Sequence, residues 1–296
     1  MKRFLFSTIA LLALTVGAEA ACPGNNCFWI GGTGTLDLAT DTLHWSGSSG
    51  GTTCACEPGT TDTITFDGSS GGGTVTVNIA GGTWTAANLT LTAFTGTLDF
   101  AANNNNFTTT FNVDDNGTTA TFNMGNGTWT LSGSSSFFRV ASGATFNSNG
   151  STLTYTGTGA AGTLRRLFGN GKTFNAVNVA ANANSNFTFS NNVTITTLTI
   201  GAPNRLDFSG STVTVTNAAT FTGSSSAQIA LVAGAGQGNR GTYSSANNMA
   251  CNWCGITNII FSGGGTFTAP NSFDLGGNSN IAITAPSPGG GRSIGL

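Results

Sequence analysis

Short runs in which apolar residues alternate with Thr, Ser or Asn recur along most of this chain. Side chains two positions apart share a face of a strand, so each run predicts a strand with one apolar and one polar face. No stretch has the helical period of about 3.6 residues, and Gly, Asn and Ser separate the runs. The chain is therefore predicted to be all-β. The runs are TITF (63–66), TVTVNI (74–79), NLTLTAF (88–94), TLDF (97–100), ATFNM (120–124), TWTL (128–131), TFNAVNV (173–179), VTITTLTI (193–200), TVTV (212–215) and NIIF (258–261).

The runs also resemble one another at a roughly constant interval. TFNAVNV is followed roughly 20 residues later by TITTLTI, and after a similar interval by TVTVTNAATF, which is the kind of self-similarity that a solenoid produces. We therefore predict a single-stranded, right-handed parallel β-helix (β-solenoid) with a disulfide-linked N-terminal cap. A β-sandwich or two-domain jelly roll is the alternative, because the repeat is irregular. The Asn-rich runs NNNN (103–106) and NANSN (182–186) are predicted to form turns, where Asn tolerates left-handed backbone angles and stacks in ladders.

The first twenty residues have the layout of a Sec signal peptide. Lys2 and Arg3 precede an apolar stretch from Phe4 to Val16, and the small-x-small ending Ala18-Glu19-Ala20 follows. The chain is therefore expected to be secreted, to the extracellular space or the cell surface. We divide it into a signal peptide (1–20), a cysteine-containing N-terminal cap (21–68), a β-helix (69–285) and a flexible C-terminal tail (286–296).

Three segments carry a resemblance to a known group of proteins. The opening segment, from CFWIGGTGTLDL to TVTV (27–77), resembles the segment that begins YWVGGTG in uncharacterised secreted and phage-encoded β-helix proteins. GNGKTFNAVNV (169–179) is similar to the recurrent GGGKTFNNLTF coil of that group, and 249–281 resembles its closing coil with two cysteines in place of strand residues. The resemblance implies a β-helix of surface or fibre type and carries over no catalytic residues. The signal peptide and the cysteines favour bacterial export over a place in a phage particle.

Six cysteines in an exported chain predict three disulfides. They are Cys22, Cys27, Cys54, Cys56, Cys251 and Cys254. Cys54 and Cys56 project to the same side of an extended segment, so we expect each to bond to one of the first pair rather than to its neighbour. The last two are then expected to form a local disulfide. They lack both the helix N-terminus of a redox motif and the further ligands of a zinc site, so neither a metal nor a cofactor is expected.

Candidate catalytic groups are few, because charged residues make up only 7% of the chain. His44, the single histidine, is expected to pack within the N-terminal cap. Asp114 and Asp115 are adjacent in VDDNG, which has the composition of a turn, and the other aspartates are scattered singly. Glycoside hydrolysis needs two facing carboxylates, and no G-x-S-x-G motif is present. No catalytic residues, and no enzymatic activity, are therefore expected, with a glycosidase or lyase as the alternative.

Candidate binding residues fall into two small sets. The densest basic patch is Arg165, Arg166 and Lys172, which would suit an anionic glycan or form a solvated loop. Trp84 and Trp129 would stack on sugar rings if exposed, although an inward core position is equally natural in T-W-T strands.

A third set consists of T-x-T pairs, which would suit an ice-binding face if they were stacked in register. Their irregular spacing predicts that many fall on different faces. These pairs are Thr63/Thr65, Thr74/Thr76, Thr83/Thr85, Thr128/Thr130, Thr194/Thr196 and Thr212/Thr214.

Together these patterns predict an exported, non-enzymatic β-helix with a structural or adhesive role at the cell surface or in an extracellular fibre. A polysaccharide-binding or polysaccharide-degrading β-helix is the alternative, followed by an ice-binding or phage tail fibre-like protein. The expected partners are glycans or other cell-surface components, with end-to-end self-association through open strand edges. The near-neutral net charge of −2 gives no reason to expect nucleic acid as a partner, and no membrane insertion is expected.

Overall fold

The computed structural model describes residues 20–37, 43–79, 82–157, 163–181, 186–208, 210–234 and 240–287. Its strands stack in parallel into a β-solenoid, which confirms the predicted parallel β-helix and excludes the β-sandwich. The predicted signal peptide, apart from Ala20, and the predicted C-terminal tail from residue 288 onward lie outside the described residues, as does most of the NANSN run.

The stacked strands form three main sheets. Face 1 is a sheet of 12 strands, face 2 a sheet of 5 and face 3 a sheet of 9, and two smaller sheets of 2 and 3 strands complete the structure. Two 3₁₀ turns are also present, Pro23–Asn25 and Gly68–Ser70.

Up to Tyr155 the typical coil contributes one strand to each face. Face 1 takes β2, β4, β6, β9, β12 and β15, face 2 takes β3, β7, β10, β13 and β16, and face 3 takes β8, β11, β14 and β17. The bounds are β1 (Ala20–Ala21), β2 (Asn26–Trp29), β3 (Gly34–Leu36), β4 (Trp45–Ser46), β5 (Cys56–Glu57), β6 (Thr63–Phe66), β7 (Thr74–Val77), β8 (Thr83–Ala86), β9 (Asn88–Thr92), β10 (Thr97–Asp99), β11 (Asn106–Thr109), β12 (Val113–Asn116), β13 (Thr121–Asn123), β14 (Thr128–Leu131), β15 (Phe137–Arg139), β16 (Thr145–Asn147) and β17 (Thr152–Tyr155).

Beyond Tyr155 the coil changes. Strands of face 1 alternate with long strands of face 3: β18 (Leu164–Phe168), β19 (Thr173–Val179), β20 (Asn186–Ser190), β21 (Val193–Gly201), β22 (Asn204–Asp207) and β23 (Thr212–Thr222). Phe174 of β19 packs on Phe146 of β16, and Val177 is in register with Leu153 of β17. The long strands therefore continue both face 2 and face 3.

The last coils return to shorter strands. Two of them belong to face 3, three belong to face 1, and three form the 3-stranded sheet. They are β24 (Ile229–Val232), β25 (Gly241–Ser244), β26 (Met249–Ala250), β27 (Cys254–Thr257), β28 (Ile259–Ser262), β29 (Phe267–Ala269), β30 (Phe273–Asp274) and β31 (Ala282–Ile283).

The core lies inside the coil and consists of in-register ladders of apolar side chains. On face 1, Ile64, Leu89, Val113, Phe138 and Leu167 follow one another from strand to strand, and all five are fully buried. Because neighbouring strands lie only about 4.8 Å apart, each of these side chains packs on the coils above and below it.

Asn residues hold the corners, as the Asn-rich runs predict. Asn104 has a φ of 52°, and its Oδ1 accepts a hydrogen bond from the backbone N–H of Asn126 at 2.9 Å. The Asn126 Oδ1 in turn accepts from the N–H of Gly150 at 2.9 Å. A turn side chain therefore satisfies a backbone group of the following coil.

The predicted N-terminal cap (21–68) overlaps the stack. β2 already pairs in parallel with β6, and β6 with β9, so stacking begins before residue 69. β4 pairs antiparallel with β2 and occupies the edge of face 1. His44 stacks on Trp29 with ring centroids 4.7 Å apart, which agrees with the expected packing of this histidine in the cap.

The cysteines form three disulfides, and two of them differ from the expected pairing. Cys22 bonds to Cys27, and Cys54 bonds to Cys56. The expected cross-links between these two pairs are therefore wrong: a tight bend, with Ala55 at a φ of 50°, brings the Cα atoms of Cys54 and Cys56 to 5.1 Å, within bonding range. Cys251 bonds to Cys254, as expected. The disulfides are typical of an oxidising, non-cytoplasmic environment.

Candidate functional site

A depression of about 700 Å³ opens on the outer surface of face 1, in the middle of the stack. We call it the face 1 groove. Its lining residues come from β18, β20 and β22, and they are Leu164, Arg166, Asn186, Thr188, Ser190, Arg205 and Asp207.

Strand alternation positions these side chains. Arg166, Thr188 and Asp207 occupy one in-register row, and Leu164, Asn186 and Arg205 occupy the next. The inward residues of the same strands, such as Leu167, Phe187 and Leu206, are buried in the core. Since the middle strand carries the short side chains Thr188 and Ser190, the two longer arginines rise on either side of a low floor.

The two arginines give the groove its charge. Among the described residues, neither the guanidinium of Arg166 nor that of Arg205 has a hydrogen-bond or ion-pair partner, and both residues are exposed. Asp207 is the single carboxylate in the lining. The floor adds one amide and two hydroxyl side chains, which both donate and accept hydrogen bonds.

An aromatic platform adjoins the groove on the side of β15. The guanidinium carbon of Arg139 lies 5.4 Å from the ring centroid of Phe137 and 5.7 Å from that of Phe168. Its Nε and Nη2 donate to the two carboxylate oxygens of Asp114 at 2.6 and 2.7 Å, and this hydrogen bonding raises the pKa of Arg139. Phe168 is in register with Ser190, so the platform borders the groove directly.

The adjacent carboxylates Asp114 and Asp115 do not form a catalytic pair. They lie in strand β12 rather than in the predicted turn, and neighbouring residues of a strand point to opposite faces. Asp114 points outward to Arg139, whereas Asp115 is fully buried and accepts hydrogen bonds from the Thr118 hydroxyl and, at 3.0 Å, from the Ala141 N–H. Burial raises the pKa of Asp115, and the nearby charge of Asp114 raises it further.

Arg165 is not available to a glycan, which corrects one predicted contact. Its side chain is fully buried inside the solenoid, and its Nη2 donates to Asn204 Oδ1 at 2.7 Å. The physical reason is again alternation: in the run LRRLF, Arg165 takes an inward position and Arg166 an outward one.

Lys172 is also committed elsewhere. Its Nζ donates to the backbone carbonyls of Ser142 and Ala144 at 2.9 and 2.6 Å, so it ties its own coil to the preceding one. Of the predicted basic patch, only Arg166 lies in the groove.

The predicted glycan contacts Trp84 and Trp129 are wrong, because both side chains are fully buried. Trp129 packs between Phe100 and Phe107, with ring centroids 4.5 and 4.9 Å away, and its indole N–H donates to the Met124 carbonyl. Both tryptophans take the inward position of a T-W-T strand.

Apart from Arg166, the six residues that line the groove were not predicted as binding residues from the sequence: Leu164, Asn186, Thr188, Ser190, Arg205 and Asp207. For two of them the sequence contained a usable pattern. In NRLD (204–207) the side chains alternate between inward and outward positions, so Asn204 and Leu206 point inward and Arg205 and Asp207 point outward. Their proximity to Arg166 depends on parallel register between distant segments, which the sequence does not display.

Sulfur atoms and a carboxylate cluster at the N-terminal end. Cys22, Cys54 and Cys56 lie close together, and so do Cys22, Cys27 and Asp62. All four sulfur atoms belong to disulfides, and a zinc site needs thiolates, so the cluster in this oxidised state does not fit a metal ion.

None of the helical segments in the described part of the chain is long and apolar enough to cross a bilayer. Comparisons of the chain with protein-family models, with curated proteins and with solved structures find no match.

Proposed function

We propose that this protein is an exported, non-enzymatic adhesin that binds an anionic polysaccharide in the face 1 groove. The observation that carries the proposal is the pair of guanidinium groups of Arg166 and Arg205, which have no partner among the described residues and lie on either side of a polar floor. Arginine binds carboxylate and sulfate groups through two parallel hydrogen bonds, so the acidic groups of such a polymer suit both positions.

The floor and the platform supply the other parts of a carbohydrate site. Asn186, Thr188 and Ser190 offer hydrogen bonds to sugar hydroxyls, and the half-buried ring of Phe168 offers an apolar surface to a sugar ring. The groove crosses three strands of one sheet, so an extended polymer fits along the solenoid axis.

The arrangement of the carboxylates supports binding without cleavage. Glycoside hydrolysis requires two carboxyl groups that face each other across the bond, and Asp207 is the single one in the lining. Asp114 is held by Arg139, and Asp115 points into the core. A structural or adhesive role at the cell surface or in an extracellular fibre fits a stack held by disulfides. End-to-end association stays a prediction. At the N-terminal end, the edge of face 1 is formed by β4, which has only two residues and pairs antiparallel with β2, and such a short edge strand disfavours pairing with a second molecule.

The test is a glycan-array measurement on the mature protein, with each bound glycan examined afterwards for cleavage. Arg166→Gln and Arg205→Gln are each expected to weaken binding of acidic glycans about tenfold or more, since a charged hydrogen bond contributes about 1.5–3 kcal/mol. Raising the ionic strength should weaken binding in the same direction.

Arg240→Gln is the matched control, because it removes the same charge at a distance from the groove, where Arg240 donates to Ser279. Equal losses of glycan binding in all three variants would show that binding depends on the net charge of the protein and not on the groove. Cleavage of a bound glycan would refute the non-enzymatic part of the proposal, and failure to bind any acidic glycan would refute the whole.

A further inference from the structure

The outer surface of face 3 carries two parallel rows of threonine, which lie apart from the groove. The strands β8, β11, β14, β17, β19, β21 and β23 each contribute one outward residue to each row. The first row is Thr85, Thr108, Thr130, Thr154, Asn178, Thr199 and Thr220. The second is Thr83, Asn106, Thr128, Thr152, Ala176, Thr197 and Ala218.

This register partly overturns the expectation that the T-x-T pairs fall on different faces. Thr63/Thr65 and Thr74/Thr76 do lie on faces 1 and 2. Thr83/Thr85 and Thr128/Thr130, however, share face 3, and the structure adds Thr152/Thr154 and Thr197/Thr199 to the same rows. Turns of different length absorb the irregular spacing in sequence, so the rows stay in register from β8 to β21. One register shift follows, between β21 and β23 at Ile195/Thr197.

The rows form a regular grid. Neighbouring strands are about 4.8 Å apart and outward residues of one strand about 6.6 Å apart, so the hydroxyl groups repeat in two dimensions at these intervals. Threonine is β-branched and stiff at χ1, which holds each hydroxyl and methyl group in a defined direction. Stacking of many coils favours a flat sheet over a twisted one.

The grid has spare hydrogen-bonding capacity and no charge. No threonine hydroxyl of the two rows makes a hydrogen bond to any described residue. The strands of face 3 contain no charged residue in the described part of the chain, whereas face 1 carries Asp114, Arg139, Arg166, Arg205 and Asp207. Face 3 therefore offers a neutral surface on which water is held by hydroxyl groups and caged by methyl groups.

We propose that face 3 binds ice. The hydroxyl groups repeat at about 4.8 by 6.6 Å, so water bound to them is ordered in a two-dimensional lattice, and water ordered in this way can join the surface of an ice crystal. A charged side chain would orient nearby water around itself and disrupt this order, which gives a reason why the described strands of face 3 contain no charged residue. The best part of the grid is β8 to β17, where Asn106 is the single departure from threonine.

The test measures uptake of the fluorescently labelled mature protein into a slowly growing ice crystal, together with the inhibition of ice recrystallisation. The wild type should enter the ice. The double variant Thr108→Tyr/Thr130→Tyr should reduce the inhibition at least tenfold, because two bulky rings at the centre of the grid keep ice from contacting its neighbours.

Thr90→Tyr on face 1 is the matched control, since Thr90 is an outward threonine of β9 and should leave the activity unchanged. Circular dichroism and the melting temperature identify a variant that fails to fold, and Thr108→Lys/Thr130→Lys then serves as the second double variant. Exclusion of the wild type from ice would overturn the proposal. So would equal effects of the face 1 and face 3 variants, or self-association through face 3 without uptake into ice.

Discussion

Arg165 lies inside the solenoid although arginine is normally found at the surface. Its Nη2 donates to Asn204 Oδ1, and its Nη1 lies 3.5 Å from the Tyr155 carbonyl. Burial lowers the pKa of this guanidinium, which reflects the cost of removing the charge from water. The position is therefore tolerated because polar groups of neighbouring coils compensate the charge.

We expect Asn204→Leu to lower the free energy of unfolding by about 2 kcal/mol, since the buried guanidinium then loses a charged hydrogen bond. In an Arg165→Met background, the same substitution should cost clearly less, because no charge remains to be compensated. Urea unfolding of the four proteins in this double-mutant cycle measures the difference. Equal costs in both backgrounds would show that Asn204 acts independently of Arg165.

A second prediction at the scale of one residue concerns Asp115 and the pH dependence of stability. Burial raises its folded-state pKa above the ordinary value of 3.8, so the protonated carboxyl is the form that the fold favours. Its contribution to stability is then fully present below about pH 3.8 and decreases as the pH rises through the folded-state pKa. The melting temperature of the wild type relative to Asp115→Asn should therefore fall as the pH is raised from about 3 to values above the ordinary pKa of 3.8. A difference that rises with pH would contradict this assignment.

At the scale of the strand, alternation explains both the successes and the failures of the sequence interpretation. Runs such as TVTV predict strands correctly because their period is visible locally. The run LRRLF contains two adjacent arginines, and only the phase of the strand decides that Arg166 faces the groove. That phase is set by packing on other coils, so local sequence did not distinguish a buried core residue from a residue that lines the groove.

The disulfide Cys251–Cys254 is a local cross-link between two short strands. Cys251 and Cys254 flank a turn between β26 and β27 in which Trp253 has a φ of 58°. A sequence separation of three residues closes a very small loop, so the bond removes little entropy from the unfolded chain.

Replacing both residues by alanine should therefore lower the free energy of unfolding by only about 2 kcal/mol and leave the fold intact. Circular dichroism and urea unfolding of Cys251→Ala/Cys254→Ala measure this, with Cys54→Ala/Cys56→Ala as the comparison at the other end of the stack. Loss of the β spectrum at room temperature would show that the bond is required for folding.

At the scale of the whole molecule, the sequence predicted the architecture better than the site. A solenoid repeats one local pattern, so the parallel stack could be inferred from spacing and composition. The groove brings together Arg166 and Arg205, and the threonine rows of face 3 join strands from β8 to β23. Both features depend on the register between successive coils. Turns of variable length set that register, and their lengths carry no simple sequence signal.

The buried aromatic core has a consequence for optical spectroscopy. Trp29, Trp45, Trp84 and Trp129 are all fully buried in the first part of the stack, and the remaining tryptophan of the chain is Trp253. Because each coil contacts only its neighbours, the ends and the middle of a solenoid are able to open separately. Intrinsic fluorescence therefore reports mainly on the first coils. The coils that carry the face 1 groove contain no tryptophan, so their opening does not change the intrinsic tryptophan fluorescence.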